Sequence, residues 1–266
     1  IRDLDSSLVG SEMCIRDSGE ALHIEALAER IAERVVVGQR SLRSDVTINA
    51  SYPIERRTPV TDIPTQETYG LIGMAAVGPH GARRLVGVSA QGMNACPCAQ
   101  ELIRAQAGDA LEGDGFDDEQ IERILQLVPV ATHNQRARGT LYVGAADDRD
   151  VPAEVLLEIV EDSMSSEIYE LMKRPDEQYV VDRAHRRPRF VEDSVREMVR
   201  GVTERFPDLP SDTFIRAHQA NFETIHTHDV EAERSGLFGE IQAELQGHVP
   251  VVRHATLREW LGGAPD

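Results

Sequence analysis

Apolar residues recur at Leu22, Leu27, Ile31 and Val35 with Glu and Arg between them, a helical period that predicts an amphipathic helix over residues 19–36. Asp45–Tyr52 alternates between apolar and polar positions and predicts a strand that ends at Pro53. Leu71–Val77 and Leu85–Ser89 flank the turn sequence Gly78-Pro79-His80-Gly81, which predicts a hairpin. Pro97 suits a first helical turn, and Leu102, Ile103 and Ala107 follow before a Gly- and Asp-rich break over residues 108–118. A second helix over residues 118–127 carries Ile121, Ile124 and Leu125 on one stripe, and Gly139–Gly144 reads as a strand. Pro152 opens a helix through Val155, Leu156, Ile159 and Val160; another runs from Phe190 to near Phe206, and Thr213–Ile225 is expected to be extended. Strands, paired helices and strands again recur in two rough copies. That order predicts an α+β fold with an antiparallel sheet in preference to a βαβ alternation.

The chain has 266 residues, enough to bury a substantial core without disulfides. Hydrophobic content of 41% and charged content of 28% are those of a globular domain, and no apolar run approaches the roughly 20 residues of a membrane helix. A formal charge of −18 argues against nonspecific binding to nucleic acid or an anionic membrane. Ile1–Ser18 reads as a translated sequencing adapter, so Cys14 is set aside, and it has neither the basic start nor the apolar stretch of a signal peptide. Cys96 and Cys98 are separated by one proline, too tight a ring for an unstrained disulfide, and are expected to be reduced thiols of a cytoplasmic protein.

Chemistry concentrates in a few places. Cys96 and Cys98 fall at a strand-to-helix junction, where helix amides lower a thiol pKa. His226 and His228 project to one face if their segment is extended; Glu223 joins them only if the strand ends or bulges near that point. His133 stands just before a strand, and Glu167 and Glu170 are carboxylates of an expected helix surface. Cysteine, histidine and carboxylate are what a borderline divalent ion recruits, and the same groups serve as acid, base and nucleophile. Each motif alone also has an ordinary reading as core or solvated surface. The chain carries no Gly-rich phosphate loop of the Walker or dinucleotide type.

Five blocks, in order over about residues 40–245, resemble the GTP cyclohydrolases of the IB class and their archaeal methanopterin-pathway relatives. They are Cys96-Pro97-Cys98, His133-Asn134-Gln135-Arg136, Lys173-Arg174-Pro175-Asp176-Glu177, Phe190-Val191-Glu192-Asp193, and Asn221-Phe222-Glu223-Thr224-Ile225-His226-Thr227-His228. The resemblance implies a tunnelling fold (T-fold) of two tandem modules, antiparallel sheet backed by paired helices. The first spans 19–145, with its N-terminal part expected to be truncated, and the second spans 146–266. It implies GTP as substrate, a homotetramer with active sites at subunit interfaces, and a divalent metal, Fe2+ first with Mn2+ or Zn2+ as alternatives, on Cys96, His133 and Glu167. By the same resemblance Glu223, His226 and His228 move protons around the imidazole ring and Cys98 is a substrate-side thiol. Asp182 would anchor guanine, where the bacterial enzymes carry Glu. Arg136, Arg138, Lys173 and Arg174 are candidates for the triphosphate, since guanidinium forks match phosphate geometry. The long stretch between Cys98 and His133 resembles the archaeal enzymes, which leaves the product open between a dihydroneopterin triphosphate and its cyclic phosphate. Two other readings differ in class: a nitrile-reductase-like T-fold enzyme using a Cys nucleophile, and a non-catalytic metal-binding assembly module.

Overall fold

Strand β3 (Gly81–Ala95) is the spine of the sheet, because it pairs with three others and carries the core on one side. The computed structural model describes residues 23–145, 149–247 and 254–262; the suspected leader lies outside them. Helix α1 (Ile24–Gln39) leads into β1 (Ser44–Arg57), β2 (Pro64–Gly78) and β3. Helices α2 (Pro97–Gly113) and α3 (Asp118–Leu127) precede β4 (Asn134–Ala145). Then come α4 (Ala153–Ser163), β5 (Ser166–Glu167), α5 (Arg174–Arg186), α6 (Val191–Arg205), β6 (Phe214–Asn221), β7 (Val230–Leu237), α7 (Phe238–Leu245) and α8 (Leu257–Gly262). The order across the sheet is β1-β2-β3-β4-β6-β7, every pairing antiparallel.

Alternation along the strands decides which side is covered. Val86, Val88 and Ala90 of β3, Leu141 and Val143 of β4, and Ile215 and Ala217 of β6 join Leu156, Val160, Met198 and Val202 of α4 and α6 in one buried cluster. The opposite face shows Ser89, Thr140, Arg216 and His218 and, among the described residues, is covered at one end, where α8 lays Trp260 against Leu85 and Phe214. Among the described residues no helix is long and apolar enough to cross a membrane.

The expected α+β class and antiparallel sheet are present, as are the hairpin at Pro79-His80, the helices opened by Pro97 and Pro152, and the helix that follows Phe190. Four expectations fail for identifiable reasons. β1 runs past Pro53 to Arg57 because it is an edge strand, where a missing N–H is tolerated. Helix α2 passes through Gly108, at an intrinsic cost of about 1 kcal/mol, and stops at Asp114-Gly115, where Gly115 has φ +93. Glu167 and Glu170 lie in a two-residue strand and the loop after it, with the helix starting only at Arg174. Strand β6 ends at Asn221, so Glu223 to His228 belong to a loop.

Where β2 leaves β3 after the Gly70–Ser89 pair, β5 takes its place and pairs through Gly92 and Met93. The far end of the β1–β2 hairpin is tied instead to α5. The Asp176 carboxylate accepts the amides of Val60, Thr61 and Lys173 and the Thr61 hydroxyl. Burial alone would raise its pKa, but those four donors hold it well below the usual carboxylate range.

Candidate active site

Three chains of alternation end together at one end of the sheet. Asn94 pairs with Gln135, and the β4–β6 register that sets Ala137 opposite Asn221 carries on to bring Glu223 beside Gln135. One pleat further, the Cys96 amide donates to the His133 carbonyl at 3.1 Å, and the Phe222 amide donates to Arg136 O at 3.0 Å. Side chains two residues apart share a face, so Cys96, His133, Gln135 and Glu223 all follow on from the buried, helix-covered side.

Their contacts are specific. Gln135 Nε2 donates to Glu223 Oε1 at 3.0 Å. The other carboxylate oxygen, Glu223 Oε2, is 3.9 Å from His133 Nδ1; the two side chains are only 8% and 13% exposed. Neither atom has a hydrogen-bond partner. A buried carboxylate oxygen and imidazole nitrogen are costly to leave unsatisfied. His226 stands edge-on to His133 with ring centroids 6.4 Å apart, and His228 stacks on His226 at 5.4 Å. The three rings thus run from the buried pair out to solvent. Their loop is closed by Asp229, which accepts the Glu223 amide, and by Thr224, whose hydroxyl donates to Asn134 O.

Behind the loop a fully buried polar network fixes the strand ends. Asn94 Nδ2 donates to Asn221 Oδ1 at 3.0 Å and to Ser194 Oγ at 3.3 Å, and its own Oδ1 accepts the Ser165 amide. His185 of α5 is buried against the Thr132 carbonyl and Asn134, joining that helix to the His133 segment.

The residues implied by resemblance fall into three groups. Cys96, His133, Glu223, His226 and His228 come to this end of the sheet, with Cys98 exposed in the first turn of α2 and both thiols free. Glu167 does not join Cys96 and His133. It pairs with Gly92, four residues before Cys96 and so roughly 13 Å along the strand. Its carboxylate is held by Arg183 at 3.2 Å and by the Tyr169 hydroxyl. Among the described residues no three His, Cys, Asp or Glu side chains close on one point tightly enough to hold a metal. Asp182 is paired with Arg186 one helical turn away. Of the basic candidates, Arg136 and Arg138 are exposed on the opposite face of the sheet, with Arg138 over the Phe222 ring. Lys173 and Arg174 begin α5, roughly 16 Å along the helix from His185.

Glu167 instead lines a cleft of about 350 Å³ where the hairpin peels from β3. Two similar triads face each other there: Arg56 and Tyr69 on Glu161, and Arg183 and Tyr169 on Glu167. Burial pushes the Glu161 carboxyl up, against the Tyr69 hydroxyl and Arg56, which pull it down. Sequence reasoning missed this cleft and the roles of Gln135, Asn94 and His185. Gln135 was signalled only by its place two residues after His133 on a strand.

A helix-backed antiparallel sheet whose strand ends gather histidine, carboxylate and thiol is the architecture of an α+β enzyme. By structure the chain is similar to uricase from Arthrobacter globiformis, with a TM-score of 0.52 over 98% of this chain and 81% of that one; at 10% identity the likeness concerns the fold alone. The family model for type I GTP cyclohydrolase folE2 matches residues 11–232, and the chain belongs to that family. Among curated relatives, GTP cyclohydrolase MptA 1 of Methanocella arvoryzae is 38% identical over 231 residues, 86% of this chain and 73% of that protein. GTP cyclohydrolase MptA of Methanosarcina mazei is 41% identical over 231 residues, 84% and 72% of the two chains.

Proposed function

We propose that the protein opens the imidazole ring of GTP at C8, releases formate, and forms a 7,8-dihydroneopterin phosphate, the first step of pterin synthesis. The observation that carries this reading is the buried, unpartnered pair of His133 Nδ1 and Glu223 Oε2 beside two further histidines, in a chain of the cyclohydrolase family. Ring opening needs a water delivered to C8 and a proton delivered to N7. His226, next to the buried pair and open to solvent, is the group we assign to the N7 proton. His228, stacked on it, relays protons to and from water. Glu223 is held to receive the proton from the attacking water. Cys98, exposed at the start of α2, flanks the substrate side.

A divalent cation fits the donor chemistry here, because a buried imidazole nitrogen and carboxylate oxygen lack partners and a free thiol, Cys96, is hydrogen-bonded through its backbone to His133. Cys96 and His133 would hold it with Glu223 alongside, and when bound it supplies Lewis acidity that lowers the pKa of water toward neutral; Fe2+, Mn2+ and Zn2+ all accept this set. Glu167 is left out, since Arg183 and Tyr169 occupy its carboxylate.

We read the fold as two T-fold modules, each with a helix pair inserted between strands, assembled as a homotetramer. Helices α2 and α3 support this, because neither has a buried residue while Leu102, Ile103, Leu127 and Val128 are exposed along them. Such surface fits burial against another subunit. Anaerobic incubation with GTP and each metal, followed by chromatography and mass, tests the reading. Formate with a pterin triphosphate, or with its cyclic phosphate, is expected. A folded, metal-loaded protein that yields neither would overturn it.

A further inference from the structure

Glutamate is a poor choice for aiming charge unless something fixes it, because its side chain samples several rotamers when free. Glu223 stands in a loop beyond the end of β6, where the backbone alone does not fix it. What fixes its carboxylate is Gln135. Gln135 is 4% exposed and stands second in β4, paired with Asn94 of β3 and two residues beyond the last β4–β6 pair. Its amide grips Oε1 at 3.0 Å, which leaves Oε2 directed at His133 Nδ1. The grip is neutral. An Arg or Lys at this position would engage the carboxylate in an ion pair, whereas the amide orients it without adding a charge to the site.

The support behind Gln135 is equally rigid. Asn94, its partner across β3–β4, is fully buried and bonds Asn221, two residues before Glu223. Both ends of the Gln135–Glu223 contact are therefore tied to the same buried network.

We propose that Gln135 is a positioning residue of the reaction: it aims the Glu223 carboxylate at His133 and touches neither substrate nor the reacting atoms. This rests on the cyclohydrolase reading for its kinetic consequences and on geometry for the rest. Gln135→Leu keeps the bulk and removes the donor; Gln135→Met, of equal length, is the second variant should the first fold poorly. In wild type and variant, kcat, KM and the thermal midpoint are to be measured, and then repeated in a Glu223→Gln background. A misdirected carboxylate is expected to lower kcat about 100-fold with KM little changed, while the thermal midpoint drops because Glu223 Oε1 loses its donor. In the Glu223→Gln background the same substitution is expected to alter the residual rate by less than about threefold, since a residue acting through another is non-additive with it. A raised KM with unchanged kcat, or fully multiplicative losses, would overturn the proposal. Crystal structures of wild type and variant give an answer independent of turnover. The expected result is a Glu223 Oε2 that leaves His133 Nδ1 when Gln135 is replaced, and a carboxylate that stays in place overturns the proposal. Absence of formate from wild type would sink the cyclohydrolase reading instead, and the paired structures would still decide the role of Gln135.

Discussion

Glu223 and His133 are 90 positions apart in sequence, yet their side chains approach to 3.9 Å because β4 begins where β6 ends and both continue the same pleat. The roles proposed for the residues of the cluster are separable by substitution. Cys96→Ala and His133→Ala are each expected to abolish binding of a divalent metal, measured by metal analysis of purified protein. His226→Ala is expected to keep the metal and lose turnover by about 10²–10⁴-fold, the usual worth of a proton-transfer group. Full activity in either metal-site variant would remove that assignment. Asp182→Ala is expected to leave stability nearly unchanged, because its i,i+4 pair with Arg186 is a surface contact worth roughly 0.3–0.5 kcal/mol, and to raise KM for GTP through loss of guanine anchoring. An unchanged KM would contradict the anchoring role. At this scale the sequence was legible where chemistry is local: His226, His228 and the thiols stand out by type and spacing. Gln135 was not, because its function lies in a cross-strand contact 88 residues away. The surroundings of Glu167 were not legible for a related reason, since they are set by the pairing of a two-residue strand that no alternation announces.

Elements bounded by proline, or marked by alternation around a tight turn, were readable: the β2–β3 hairpin, and the starts of α2 and α4. Helix α5 was hidden because it is strongly polar and buries few apolar residues, Val180 and Ala184 among them, so it carries little hydrophobic period. Its hold on the rest of the fold is polar too, through Asp176 and the loop at Val60-Thr61. The pKa of Asp176 is lower in the fold than in the unfolded chain, so the unfolded state binds more protons as pH falls below about 4. The stabilisation is therefore complete above that value and is lost progressively as pH drops toward the depressed folded pKa. Thermal midpoints measured from pH 7 down to 3 should fall more steeply for wild type than for Asp176→Asn, which starts lower at neutral pH. Parallel curves would show that the carboxylate contributes nothing by its charge.

Across the whole molecule, the order of strands and helix pairs implied an α+β fold with an antiparallel sheet, which the structure has. The stripe expected on α3, Ile121, Ile124 and Leu125, is only half-buried, and neither α2 nor α3 has a buried residue. Periodicity reports that a stripe exists and says nothing of whether its partner lies in the same chain. The site has the same character, with a buried imidazole nitrogen and carboxylate oxygen that lack hydrogen-bond partners and a histidine chain open to solvent. The central claim is that this end of the sheet removes C8 of GTP. Incubating the metal-loaded protein with GTP carrying ¹³C at C8 tests it most directly. The account predicts that the label leaves as formate in step with formation of an unlabelled pterin. Label retained in a purine, with no formate from folded protein, would contradict it.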